Sequence, residues 1–258
     1  MSDLVLAAGA GFEAPGNQDF VFPGIVGGFT KPMALVVLSV IIVAAFFLIT
    51  SRRRALVPAK GQFAGEMAYG FVRDSLARDT IGIEGLRYAP YLTTLFFFVL
   101  VNNIFGVIPI LQFPSMSRIG FPAGLALITW LVFNFVGVRR KGIGPYLKEI
   151  MFPPGVPGWI SPLVAVLELF QVLVTRPLTL GLRLFANMYA GHLLLLVFIL
   201  GGEYMLTEGT GLLPILSPFA FLMGIVMTLF EALIQVLQAY IFVLLTALYI
   251  AGALADEH

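Results

Sequence analysis

Charged side chains are absent from Pro32 to Ser51, Tyr88 to Ser117, Ile119 to Gly137, Leu184 to Gly202 and Ala232 to Ala255. About 20 helical residues cross a hydrocarbon core, so most of these runs are long enough to span a membrane. The first predicted helix, Pro32 to Thr50, carries proline in its first turn and is followed by Arg52, Arg53 and Arg54, a stop at the interface. Residues 61–87 behave differently. Phe63, Met67, Phe71 and Leu76 alternate with Arg73, Asp74, Arg78, Asp79 and Glu84, the pattern of an amphipathic helix lying at the interface.

Tyr88 to Pro109 and Ile119 to Val138 predict a helical hairpin around the turn-rich loop Gln112 to Gly120. Arg139, Arg140 and Lys141 close its second arm, and a short interfacial piece through Lys148 and Glu149 follows. The last two helices are too long for a simple crossing. Ser161 to Leu200 would run roughly 60 Å at about 1.5 Å per residue, twice a hydrocarbon core of about 30 Å, so it must tilt or break. Pro177 offers a kink site, and Gly181 and Gly191 offer close approach. Leu213 to Ala253 is equally long and carries one charge, Glu231.

The expected fold is therefore an all-α integral membrane protein with five membrane-crossing helices and an interfacial amphipathic helix. The last two helices form a long, strongly tilted antiparallel pair. We read residues 1–258 as a single membrane domain, with 1–31 outside the cytoplasm, 32–138 as peripheral helices and 161–255 as the long pair.

Composition supports the class: 59% of the 258 residues are hydrophobic and 11% charged, against about 25% charged in soluble domains. Mean hydropathy is +0.98. Segment 51–87 holds Arg52, Arg53, Arg54, Lys60, Arg73, Arg78 and Arg87, and segment 139–149 holds Arg139, Arg140, Lys141 and Lys148. The other side has only Lys31 and Arg118, so the positive-inside rule puts the N-terminus outside and, after five crossings, Asp256 to His258 in the cytoplasm. Residues 1–30 lack the basic start and continuous apolar core of a signal peptide and are expected to be retained.

A net charge of +1 without a basic stripe gives no nucleic-acid surface. Without cysteine there is no disulfide, iron–sulfur cluster or thiolate-bound haem. The two histidines, one of them the terminal His258, cannot build an intramembrane bis-histidine haem. No cofactor or metal is expected.

The informative residues are the charges inside the apolar runs. Each costs about 2.5–3.5 kcal/mol at bilayer depth and so needs a partner or a task. Arg176 lies near the cytoplasmic end, where snorkelling or a head-group contact would satisfy it. Glu168 is similarly shallow. Arg183 lies about 17 residues, roughly 25 Å, from Leu200 and cannot easily snorkel. Thr179, Arg183 and Asn187 repeat every four residues and share one helical face; an internal ion pair of Arg183 with Glu231 is the structural alternative. On the last helix Glu231, Gln235 and Gln238 form a second polar stripe. In an antiparallel pair, one register nearly matches His192 with Glu231 and Arg183 with Gln238. Histidine beside a carboxylate exchanges protons near neutral pH, or makes a static helix contact, whereas arginine keeps its charge.

The segments LGLRLFANMYAGH (Leu180 to His192) and FEALIQVLQAYIF (Phe230 to Phe242) resemble the paired signature of the F-type ATP synthase a subunit family. The resemblance covers the chain as a whole and is weakest before residue 30. It implies a proton-translocating stator, not itself a catalyst, in a bacterial plasma membrane. It also implies partners: a ring of c subunits, b-type peripheral stalk subunits, the remainder of the synthase and the lipid bilayer. By the same resemblance Arg183 faces the ring, Gln238 is its neighbour, and His192 and Glu231 line the inlet half-channel. Many bacterial relatives place the acid and the histidine the other way round, so this chain has the exchanged arrangement. Asn187 and Gln235 belong to the same polar seam. Glu168 resembles the acid before the arginine helix, and with Thr179 it would border the inward half-channel. Small residues Gly181, Ala186, Ala190 and Gly191 would allow close approach of the ring.

The competing readings are a self-contained ion-coupled secondary transporter and a structural subunit of a respiratory complex. A carrier should show repeated halves with broken helices around a midplane site, and no convincing repeat is present. A purely structural subunit needs no deep arginine. The ring carboxylate lies on another chain, so the choice of ion is open, with His192 leaning toward protons.

Overall fold

The computed structural model describes residues 15–16, 30–52, 55, 59–108, 115–152 and 157–255. Most of the expected N-terminal segment, Arg53 and Arg54 of the basic stop, the first part of the 112–120 loop, and Asp256 to His258 lie outside the described residues. Every regular element among the described residues is helical.

Helix α1 spans Lys31–Thr50, within one residue of expectation, and Pro32 sits in its first turn. The interfacial segment begins as α2, Lys60–Phe71, and widens into a π-helical stretch, Val72–Arg78. A helical turn, Asp79–Ile81, and a 3₁₀ turn, Ile83–Tyr88, then lead into α3, Ala89–Ile104. The apolar positions of this segment do not share one face. Phe63, Met67 and Phe71 point outward, while Val72, Leu76 and Ala77 enter the core. The π stretch turns the helix between the two sets, because each residue bonded five rather than four positions back shifts the side-chain phase.

Helix α4, Gly120–Lys141, is followed by α5, Ile143–Met151, and α6, Ser161–Phe170. A second π segment, Gln171–Thr175, connects α6 to α7, Arg176–Thr207, and the chain ends in α8, Leu213–Leu254. Among the described residues four helices are long and apolar enough to cross a membrane: α1, α4, the continuous Ser161–Thr207 and α8. At 16 residues, about 24 Å, α3 falls short of a core of about 30 Å.

Ser161–Thr207 does not snap at Pro177; it widens in the turn before it. The Arg176 amide donates five residues back to Gln171. The next residue, Pro177, has no N–H to give, so the Val172 carbonyl loses its ladder partner. Trp130 of α4 supplies one, its indole Nε1 donating to Val172 O at 2.9 Å. The proline is thus accommodated without a buried orphan carbonyl.

The α7–α8 packing is antiparallel, as expected. From the turn between the two helices onward, Ser217 donates to Gly202 O at 2.8 Å, Glu231 lies against Gly191, Asn187 meets Gln238, and Arg176 stacks over Tyr249. The core joins Leu180, Leu184 and Met188 of α7 to Phe242 and Val243 of α8, Phe133 of α4 and Leu92 of α3.

Candidate functional site

Two helices carry the polar seam, and their neighbours decide which way each member faces. On α7 the buried line is Leu180, Leu184, Met188, His192 and Leu195, so His192 points into the protein and is 6% exposed. Arg183 lies on the opposite side and is exposed, beside the exposed Thr179, Ala186 and Ala190. It makes no hydrogen bond or ion pair among the described residues. The alternative of a structural pair with Glu231 is not formed.

On α8, Glu231, Gln235 and Gln238 are all buried, at 4%, 0% and 2% exposure. Gln235 Nε2 donates to Glu231 Oε1 at 3.2 Å. Asn187 Nδ2 donates to Gln238 Oε1 at 2.6 Å, so Gln238 is tied to Asn187, one turn along from Arg183. The second carboxylate oxygen of Glu231, the amide oxygen of Gln235 and the amide nitrogen of Gln238 are buried without a protein partner. Buried polar atoms in that state call for water or an exchanging ligand.

Glu231 reaches its position because α7 has no side chain there: a Cβ on Gly191 would sit 3.3 Å from Glu231 Oε1. The same carboxyl borders a cavity of about 200 Å³ with Asn187, Ala190, Gly191, Phe230 and Ile234. His192 is not on this cavity. Gly181 serves a different purpose from close approach to an outside partner. It faces α4, where a Cβ would meet Ala126 Cβ and Pro122 O, each at 3.3 Å. Of the four small residues, Ala186 and Ala190 remain on the open face.

A second polar cavity, about 210 Å³, lies at the other end of the pair between α5, α6, α7 and α8. Glu168, Glu149, Arg176, Tyr146 and Tyr249 border it. The Arg176 guanidinium lies 5.4 Å from the Tyr249 ring centroid, half-buried, so its contact is a ring within the protein. Burial raises the pKa of the Tyr146 phenol, an effect that Arg176 partly offsets. Thr179 does not line this cavity; its hydroxyl donates to Thr175 O at 2.7 Å within its own helix.

Asn102 and Asn103 escaped the sequence reading. Both are fully buried on α3. Asn102 Nδ2 donates to Ser39 Oγ at 2.7 Å, and Asn103 Nδ2 donates to the Gln235 backbone carbonyl at 3.2 Å. Their signal was a pair of amides in the middle of an uncharged apolar run, where each side chain must find partners.

A buried acid–amide seam beside a lone outward-facing arginine repeats the two signature segments in three dimensions. Residues 33–251 match the family described as ATP synthase A chain. The chain belongs to that family. It is 48% identical over 266 residues to ATP synthase subunit a of a Nocardioides species, covering 98% of this chain and 96% of the relative. It is 45% identical to ATP synthase subunit a of Pseudarthrobacter chlorophenolicus, covering 96% and 95%, and 39% identical to that of Streptomyces lividans, covering 100% and 93%. A subunit a chain is part of the F-type ATP synthase, a membrane assembly that couples proton transport to ATP synthesis.

Proposed function

We propose that this chain is the proton-conducting stator of its synthase, offering two offset half-channels to carboxylates on a rotating c ring. The observation that carries this reading is Arg183: exposed, on a face kept low by Ala186 and Ala190, and without an internal partner among the described residues. A permanent charge on an apolar surface is costly in lipid and favourable against a partner's carboxylate.

The inlet half-channel runs along Glu231, Gln235 and Asn187, with His192 nearby on the buried face of α7. Its buried polar atoms without protein partners suit a file of exchanging water. A proton passing along it neutralises a ring carboxylate, and the neutral site turns into lipid. After nearly a full rotation the site meets the inward half-channel, for which the Glu168–Glu149–Arg176 cavity is the best candidate. There Arg183 favours the ionised carboxylate, drives release and blocks direct leakage between the half-channels.

Five crossings complete the arrangement, with α3 as the short arm of the hairpin. The N-terminus lies outside and the C-terminus in the cytoplasm, as the distribution of Lys and Arg indicates. The helices Ser161–Thr207 and Leu213–Leu254, roughly 70 and 63 Å long, tilt strongly to fit the bilayer. The b-type stalk subunits hold this assembly against the torque of the ring.

The test is ATP-driven acidification of inverted membrane vesicles carrying Arg183→Ala. Pumping should vanish while the assembly remains intact. Normal coupled pumping in that variant would overturn the reading.

A further inference from the structure

At the end of α4 marked by Arg139 and Arg140, a cavity of about 590 Å³ opens between this helix and the Ile83–Tyr88 turn. It shares no residue with the polar seam of α7 and α8. Its rim is cationic, formed by Arg87, Arg139 and Arg140, and its wall is apolar, formed by Val132, Phe135 and Val136. Arg140 is held at the rim by Glu84 at 3.4 Å, and the Arg87 guanidinium lies 4.7 Å from the Tyr88 ring centroid. Glu84 is thus a carboxylate bonded to this rim among the described residues.

The charge and the apolar surface are ordered along the helix. Ile128, Leu131 and Phe135, 51%, 52% and 63% exposed, follow one another at three- and four-residue spacing. The track they form is roughly 10 Å long and ends at Arg139.

We propose that this cavity binds one anionic phospholipid, with its head-group phosphate among Arg87, Arg139 and Arg140 and an acyl chain along Phe135, Leu131 and Ile128. Guanidinium groups pair phosphate oxygens through two N–H donors each, and basic pockets between membrane helices suit such head groups. A soluble phosphate would use the rim and leave the apolar wall uncovered. A zwitterionic lipid would bring its own cation against the three arginines. The order of cation above hydrocarbon matches one class of ligand.

The test uses the intact detergent-solubilised synthase and a photoactivatable phosphatidylglycerol, with labelled peptides located by mass spectrometry. Label should fall within residues 128–140 and be displaced by unlabelled phosphatidylglycerol, but not by phosphatidylcholine or inorganic phosphate. Arg87→Gln combined with Arg139→Gln should weaken labelling on the order of thirtyfold. Val132→Trp, which keeps every charge and fills the wall, should weaken it too. If the arginine variant fails to assemble, Val132→Trp decides alone. Equal competition by phosphate or phosphatidylcholine, unchanged labelling in the variants, or no label because another subunit covers the cavity would each overturn the proposal.

Discussion

Asn187 Nδ2 donates to Gln238 Oε1 at 2.6 Å, tying α7 to α8 one helical turn from Arg183. Gln238 is buried and Asn187 half-buried, so losing Asn187 leaves the buried Gln238 amide oxygen without its donor. Asn187→Leu should lower stability in detergent by about 1–3 kcal/mol. In a double-mutant cycle, Asn187→Ala and Gln238→Ala should show a coupling of about 0.5–1.5 kcal/mol in thermal unfolding. Strictly additive effects would mean that the bond contributes nothing.

Gly191 gives Glu231 its place, so a side chain there should disturb the carboxyl before it disturbs the fold. Gly191→Ala brings a methyl within 3.3 Å of Glu231 Oε1. ATP-driven pumping should fall severalfold with subunit a still present in purified synthase. Pumping at the normal rate would show that the position of Glu231 is not critical.

Replacing His192 or Glu231 singly should slow proton uptake from the outer side, and exchanging the two should restore part of it. Passive proton flux through vesicles bearing each variant reads this out. Two single variants that conduct normally would remove both residues from the inlet.

Trp130→Phe removes the only side-chain donor bonded to the Val172 carbonyl among the described residues, at an expected cost of about 1–3 kcal/mol. Pro177→Ala restores a backbone N–H at the position where the ladder lacks one. The double variant should therefore lose less stability than Trp130→Phe alone. Unfolding midpoints of the three proteins check this, and an equal or larger loss in the double variant would refute the account.

The helices were largely legible because an uncharged run and its flanking basic residues mark a span directly; α1 and α8 fall within one residue of their expected limits. The two polar stripes and the antiparallel sense of the pair were legible, since i, i+4 spacing places residues on a face, but the expected pairs were not: Gln238 meets Asn187 rather than Arg183, and Glu231 lies against Gly191 rather than His192. Spacing does not say what that face meets. It grouped Thr179, Arg183 and Asn187, but only packing separates the outward Arg183 from the Asn187 bonded to Gln238. The π segment at 72–78 escaped because nothing local marks it; the one at 171–175 precedes Pro177, where a kink rather than a widened turn was expected, and the carbonyl it frees is met by a tryptophan 42 residues away. Asn102 and Asn103 were passed over because amides carry no charge, although their desolvation demands partners as an ion's would.

The exposed Arg183 also bears on how the synthase is put together. On the proposed reading, in which a ring covers Arg183, the helix bundle before docking presents a permanent cation on a surface otherwise fit for hydrocarbon, a penalty of about 2.5–3.5 kcal/mol that docking removes. A chain released before its ring is ready is then a poorer membrane protein than the same chain in the assembly. Its lifetime in cells lacking c subunits should be short, and Arg183→Leu should lengthen it. The charge proposed to keep the two half-channels apart would in this way also mark an orphan subunit for removal.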